Sequence, residues 1–373
     1  MKKNLFSIVL ITISVIILVL SWVSTGFADA YTDHVFPVIT QSYACFTSIF
    51  PFSVGELLLL LGVIIIFSLV VYMAAELFLF LLKKRRGRVI KTAAFMIGRI
   101  LPNLLSVVML IMVLNCFVLY HCSPIKAGQN AGSDHSLSEL TELRDYLVNK
   151  CNVMAADMER DKDGSIIYTG DMQQQARLGM EKLKDKYKRL DGFYALPKPL
   201  TFSWFMSQQY MQGYYFPFSM EANYNDYMYI ANKPFTMCHE LAHTHGYIYE
   251  DEANFLGFLG CILSGDEFFE YSGYLGILIY VNNDFYSAVG RDEYNEHVSM
   301  SDDVKYDLQF LTDSAWEKVE RESFLDTETV KKAADTFIDT NLKVNGVSSG
   351  KVSYSHVVSL LMDYYAENPY NQG

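Results

Sequence analysis

Read for the alternation of apolar and polar positions, the chain divides near residue 122. Before that point the apolar residues run on without period. Leu5 to Val23 holds 19 residues without a charge, about 28 Å as a helix and enough to cross a bilayer core. Leu57 to Ala75, extended by Leu77 to Leu82, is a second such run, and Ile100 to Tyr120 is a third. The pattern predicts three transmembrane helices at about 5–23, 57–82 and 100–120, within a membrane region of residues 1–122.

After residue 122 the pattern becomes periodic. A Gly- and Ser-containing stretch within 123–136 reads as a linker, and 137–373 reads as one mainly helical α+β domain. Leu137, Leu140, Leu143, Leu147, Cys151 and Met154 keep helical spacing and predict a helix over 137–159. Further helices are expected over 172–190, 250–263, 267–282, 302–322, 327–341 and 353–367. Asp161-Lys162-Asp163-Gly164 reads as a turn. Gly213 to Asn225 reads as a strand, with Pro217 assigning it to a sheet edge.

Composition agrees with a membrane portion: 51% of residues are hydrophobic and the mean hydropathy is +0.13. Charge sets the orientation. Lys2 and Lys3 precede the first run, and Lys83, Lys84, Arg85, Arg86, Arg88, Lys91 and Arg99 lie between the second and third. The positive-inside rule then places both segments in the cytoplasm and everything after Tyr120 outside. Ala28-Asp29-Ala30 matches a signal-peptidase site, but the apolar run exceeds the usual ~7–15-residue signal core, which favours a retained anchor. Residues 1–122 carry 9 Lys/Arg and 4 Asp/Glu, whereas 123–373 carry 21 and 38, a net of −17. So acidic a domain argues against nucleic acid and anionic lipid as its ligand and suits peptides. The six cysteines are too few for a disulfide-built scaffold. Cys238 and Cys261 fall on two neighbouring predicted helices, as a bridge or as two buried thiols.

The candidate chemistry is concentrated in one stretch. His239-Glu240-Leu241-Ala242-His243 is H-E-x-x-H. Two histidines four apart on a helix project from one face and can bind one Zn²⁺, with the intervening Glu240 as general base. Asn232 as cap, Pro234 in the first turn and Gly246 beyond the end mark that helix. His245 lies roughly 200° round from His243, toward solvent or an outer layer of the site. The metzincin spacing would put a third ligand at Tyr249, which is not a His. Glu250 is the better candidate and Glu252 its rival. Ala253, Gly257 and Gly260 form a small-residue strip that allows close helix approach.

Glu250-x-x-Ala253-Asn254 resembles the E-x-x-A-D segment of gluzincins, which implies that Glu250 binds zinc and that Asn254, in place of Asp, orients a ligating histidine. More widely, the run from His239 to Cys261, GYYFPFSMEANYN from Gly213, YSGYLGILIYV from Tyr271, Phe50-Pro51-Phe52-Ser53 and Val352-Ser353-Tyr354 resemble a domain-of-unknown-function family of bacterial three-span membrane proteins with zincin-like HExxH sites. That resemblance implies a fold and a metal site, not a substrate.

Together these readings lead us to expect a zinc peptidase of the bacterial cell membrane, multi-pass, with a gluzincin-type domain outside the cytoplasm. Its partners would be a peptide or protein substrate and the lipid bilayer. The strand over 213–225 would align substrate by main-chain pairing or simply pack on a helix. Tyr354 and His356 are candidates for an oxyanion donor, packing or capping being the plainer role. Intramembrane cleavage is disfavoured, because His239 follows Tyr120 by 119 positions in a polar segment. The alternative is a metal-binding sensor or envelope assembly protein without turnover, against which the intact Glu240 counts.

Overall fold

The computed structural model of the chain describes residues 4–82, 91–92, 95–125, 135–344 and 356–369. The basic run Lys83 to Arg88, most of the 123–136 stretch and Tyr354 lie outside the described residues. Among the described residues three helices are long and apolar enough to cross a membrane: α1 (Leu5–Val23), α4 (Val54–Leu81) and α5 (Gly98–His121). Between α1 and α4 the chain forms α2 (Thr25–His34), capped by Ser24, and α3 (Phe36–Thr47).

α5 departs from regular helix. Over Val113–Phe117 it makes a π-turn, whose wider ring loosens the usual main-chain pairing and leaves carbonyls open to other donors. The hydroxyls of Tyr31 and Tyr215 donate to the carbonyls of Leu114 (2.8 Å) and Asn115 (3.2 Å). Asn115 Nδ2 in turn donates to the carbonyl of Pro217 at 2.6 Å. A buried cluster follows from these contacts, in which Ala28, Phe36, Val113 and Leu119 meet Tyr215, Met220 and Ile248. The end of the third apolar helix is therefore packed against the sheet and the connection after the HExxH helix.

The remainder is mainly helical: α6 (Leu137–Asp157), α7 (Met172–Glu181), α8 (Ser203–Gln208), α9 (Lys233–Thr244), α10 (Glu250–Ile262), α11 (Glu267–Tyr294), α12 (Asp302–Asp307), α13 (Asp313–Glu322), α14 (Thr327–Val344) and α15 (His356–Glu367). Several differ from the sequence expectation. The helix expected over 172–190 stops at Glu181, and Lys182 Nζ instead donates to the carbonyls of Leu263 and Ser264 at the end of α10 (2.8 and 2.9 Å). The helix expected over 267–282 continues to Tyr294, with a break where Gly290 takes a φ of 77°. The stretch 302–322 is two helices, because the carbonyls of Gln309 and Phe310 accept from Asn232 and Tyr229 instead of continuing the helix. Asp161 to Gly164 is the turn expected, Gly164 taking a φ of 84°.

A small sheet has the order β1-β3-β2. β1 (Lys198–Pro199) runs parallel to β3 (Glu221–Tyr224), and β2 (Gly213–Phe216) pairs antiparallel with β3 in the register Tyr214 to Asn223. The single strand expected over 213–225 is thus a hairpin. Pro217 sits in its turn, not on the edge strand, since the missing N–H is harmless there and the chain reverses through Met220 at a φ of 55°. Glu221, at the start of β3, accepts from the main-chain N–H groups of Val54 (3.1 Å) and Gly55 (2.7 Å) and from Lys198 Nζ (2.6 Å). A carboxylate thereby meets the unpaired N–H groups and positive dipole end of the second apolar helix.

Candidate functional site

α9 carries the histidine pair. Pro234 occupies its first turn, while the Asn232 side chain donates to the Gln309 carbonyl at 2.9 Å and does not cap the helix as expected. The helix ends at Thr244, and Gly246, at a φ of 90°, turns the chain toward α10. The two helices approach closely because Gly257 faces His239: a Cβ there would lie 3.1 Å from the His239 main-chain nitrogen.

That approach brings His239, His243 and Glu250 together, with their ligand atoms all within 4.8 Å of one another. Glu250 Oε2 is 3.2 Å from His239 Nε2, and its Oε1 is 3.8 Å from His243 Nε2. Both far nitrogens are tied back. His243 Nδ1 bonds the Tyr247 carbonyl at 2.7 Å, and His239 Nδ1 meets Asn254 Oδ1 at 2.9 Å. A carbonyl only accepts, so His243 carries its proton on Nδ1 and turns a lone pair inward from Nε2. Asn254 stands where the resemblance implies an orienting residue.

Electrostatics follow from the burial of these groups. Burial opposes a charged His239, but its hydrogen bond to Glu250 and that carboxylate's charge outweigh it and raise the imidazole's pKa. Burial and the neighbouring His239 push His243 down to about 4. Glu250 is held at about 2, since His239 and His243 together overcome the effect of burial. Glu240, buried at 5% exposure, is pushed up to about 8 by desolvation, with Glu250 adding to the shift and His239 opposing it. Among the described residues its Oε2 has no hydrogen-bond partner.

The other sequence candidates fall elsewhere. Glu252 is buried and accepts from the Ile125 N–H at 2.8 Å, outside the group of three. His245 faces neither solvent nor the site: it is buried, stacks on Tyr194 at a centroid distance of 3.8 Å, and sets its Nδ1 against the Leu241 carbonyl at 3.1 Å. The helix ends before it, so the angular spacing of a continuing helix does not apply. His356 is exposed at the first position of α15. Cys238 and Cys261 are free, buried thiols, and Cys238 Sγ lies 3.9 Å from the Ala176 carbonyl.

Three residues join the site that sequence reasoning did not single out. Gly213, on β2, lies against Glu240; a Cβ there would be 2.4 Å from Glu240 Oε1. Tyr214, the next residue of β2, is 37% exposed and packs on Phe216, and its phenol's pKa is raised by desolvation, with Cys116 and then Glu240 adding to the shift. Tyr280, on α11, lies beside Asn254 and is pushed up to about 12, by burial first and then by Glu250. A signal for Tyr280 does exist. Gly273 faces Cys261 of α10 and Gly276 faces Phe235 of α9, so the face of α11 that lies on both site helices reaches Tyr280 one turn later.

The fold and site define a mainly helical α+β protein with three helices, among the described residues, fit to cross a membrane and a partly buried His-Glu-His group between two close-packed helices. The chain belongs to the family described as a protein of unknown function, DUF3810, whose sequence profile matches residues 31–362. No curated protein and no solved structure matches the chain.

Proposed function

We propose that this protein is a membrane-anchored zinc-dependent peptidase of gluzincin type, acting on peptide bonds outside the cytoplasm. The carrying observation is the pairing of a two-imidazole, one-carboxylate donor set, its histidines oriented by the Tyr247 carbonyl and Asn254, with a buried Glu240 whose Oε2 is unsatisfied. The donor set suits Zn²⁺, for which three protein ligands and an open position are the usual catalytic arrangement. When bound, Zn²⁺ supplies Lewis acidity toward a scissile carbonyl and acidifies water.

The chain's own residues supply the rest. Glu240 takes a proton from the attacking water at Oε2 and returns it to the leaving amine. Tyr280 flanks the site as a neutral phenol, able to donate to the oxygen on which negative charge develops. Substrate lies along β2. Asn225 N–H donates to the Gln212 carbonyl at 2.7 Å, and antiparallel alternation from that bond turns the main-chain groups of Gly213 and Tyr215 away from β3, toward a strand that could be added there.

Metal analysis of the purified protein tests the ligand set. About one zinc per chain is expected, with occupancy falling in His239→Ala, His243→Ala and Glu250→Ala but retained in Glu252→Ala and His356→Ala. Asn254→Ala is expected to weaken zinc binding by roughly 10–100-fold, as loss of an orienting partner does. Retention in Glu250→Ala with loss in Glu252→Ala would move the ligand role, and a zinc-free wild type would end the proposal.

The charge bias of the sequence supports a site outside the cytoplasm. An alkaline phosphatase fusion, active only after export, is expected to be active when joined after Gly373 and silent when joined after Arg88. The reverse pattern would invert the topology.

A further inference from the structure

Glu56, in the first turn of α4, accepts from the main-chain N–H groups of Thr201 (2.9 Å) and Phe202 (2.7 Å). The chain entering α8 is therefore pinned to the end of an apolar helix none of whose hydrophobic window is buried in the protein. At that anchor Phe202, just before α8, and Phe205, on it, are 38% and 42% exposed. Gln208 Nε2 donates to the Leu325 carbonyl at 2.8 Å, and Trp204 meets Phe324 edge-on at 5.9 Å. These contacts hold the connection between α13 and α14 beside α8, yet Phe324 and Leu325 are 89% and 64% exposed. On another flank of the same helix end, Phe46 and Phe52 are 60% and 44% exposed. Their segment is fastened there by Lys198 Nζ, which donates to the carbonyls of Thr47 (2.7 Å) and Phe52 (3.1 Å) while paired with Glu221.

Three segments distant in sequence thus place large apolar side chains in one zone, around the start of one apolar helix. Exposed phenylalanines grouped in this way mark a surface with an occupant. Their continuity with the unburied flank of α4 identifies it: the solvent that covers α4 covers them too. Aromatic side chains at the level where an apolar helix begins match the boundary between headgroups and acyl chains. Trp22, 56% exposed in the last turn of α1 and packed on His121 at the end of α5, stands at the same kind of level on the other two helices.

We propose that Phe46, Phe52, Phe202, Phe205, Phe324 and Leu325 form a membrane-seating collar that rests in the interfacial layer of the bilayer. The collar holds the helical part of the chain down on the membrane surface. The His-Glu-His group lies near that surface as well, since Tyr249, next to Glu250, donates its hydroxyl to the Tyr120 carbonyl in the last turn of α5. The collar stands whether or not the site hydrolyses peptides.

Nitroxide labels at Phe324→Cys and Phe205→Cys in full-length protein test it, in nanodiscs of phosphatidylcholine and phosphatidylglycerol. A Cys45→Ser background removes the one exposed native thiol. Collision with oxygen, which concentrates in lipid, is compared with collision with a water-soluble nickel chelate, and Asp185→Cys serves as the exposed polar control. The ratio of oxygen to nickel collision is expected to be several-fold higher at 205 and 324 than at 185. A ratio equal to the control, or spin–spin broadening showing that a second copy covers the labels, would overturn the collar.

Discussion

Glu240→Gln is expected to lower peptide hydrolysis by roughly 10²–10⁴-fold, the usual worth of a positioned acid–base group, with zinc content unchanged. The side chain keeps its shape, and Glu240 is outside the group of three that would hold the metal. What it loses is a basic oxygen in the position of Oε2, buried and without a partner among the described residues. Metal analysis and cleavage of a peptide library, run on the same preparation, separate the two roles. Turnover at the wild-type rate would remove Glu240 from the chemistry. Loss of zinc together with turnover would make it a ligand.

The second large effect is expected at Gly213, a residue without a functional group. An added methyl would lie 2.4, 2.7 and 2.8 Å from Oε1, Cγ and Cδ of Glu240, closer than carbon atoms pack, so either β2 or the carboxylate must move. A displacement of about 1 Å in a catalytic group costs on the order of 10²-fold. Gly213→Ala should therefore lose about that factor in turnover while binding zinc normally. Gly62→Ala, made where a Cβ meets nothing within 4 Å, is the control and should hydrolyse at the wild-type rate. An unimpaired Gly213→Ala would mean that neither β2 nor Glu240 is held where chemistry needs it.

These two substitutions also mark how far the sequence could be read. Glu240 announces itself through the spacing of His239 and His243, whereas Gly213 means nothing until β2 is seen against α9. The hairpin escaped for a related reason. Pro217 is compatible with an edge strand and with a turn, and the choice depends on Asn115, 102 positions away, donating to its carbonyl. His245 was misplaced because helical geometry was carried one residue past the end of the helix, and because Tyr194, on which it stacks, lies in another segment.

By itself the sequence determined what local physics controls. Runs of apolar residues long enough to satisfy a bilayer, the four-residue spacing that puts two imidazoles on one helix face, and a glycine able to take a positive φ at Gly246 each act within a turn or two of chain. Only the tertiary structure decided what depends on main-chain and side-chain groups meeting from far apart. It brought Glu250, not Glu252, to the histidines and turned the π-turn of the third apolar helix into a docking point for the hairpin. It also set Tyr280 beside Asn254 and made Glu221 the cap of the second apolar helix. Each of these is settled by burial: a polar group removed from water must find its partner wherever the fold supplies one, and sequence distance does not enter.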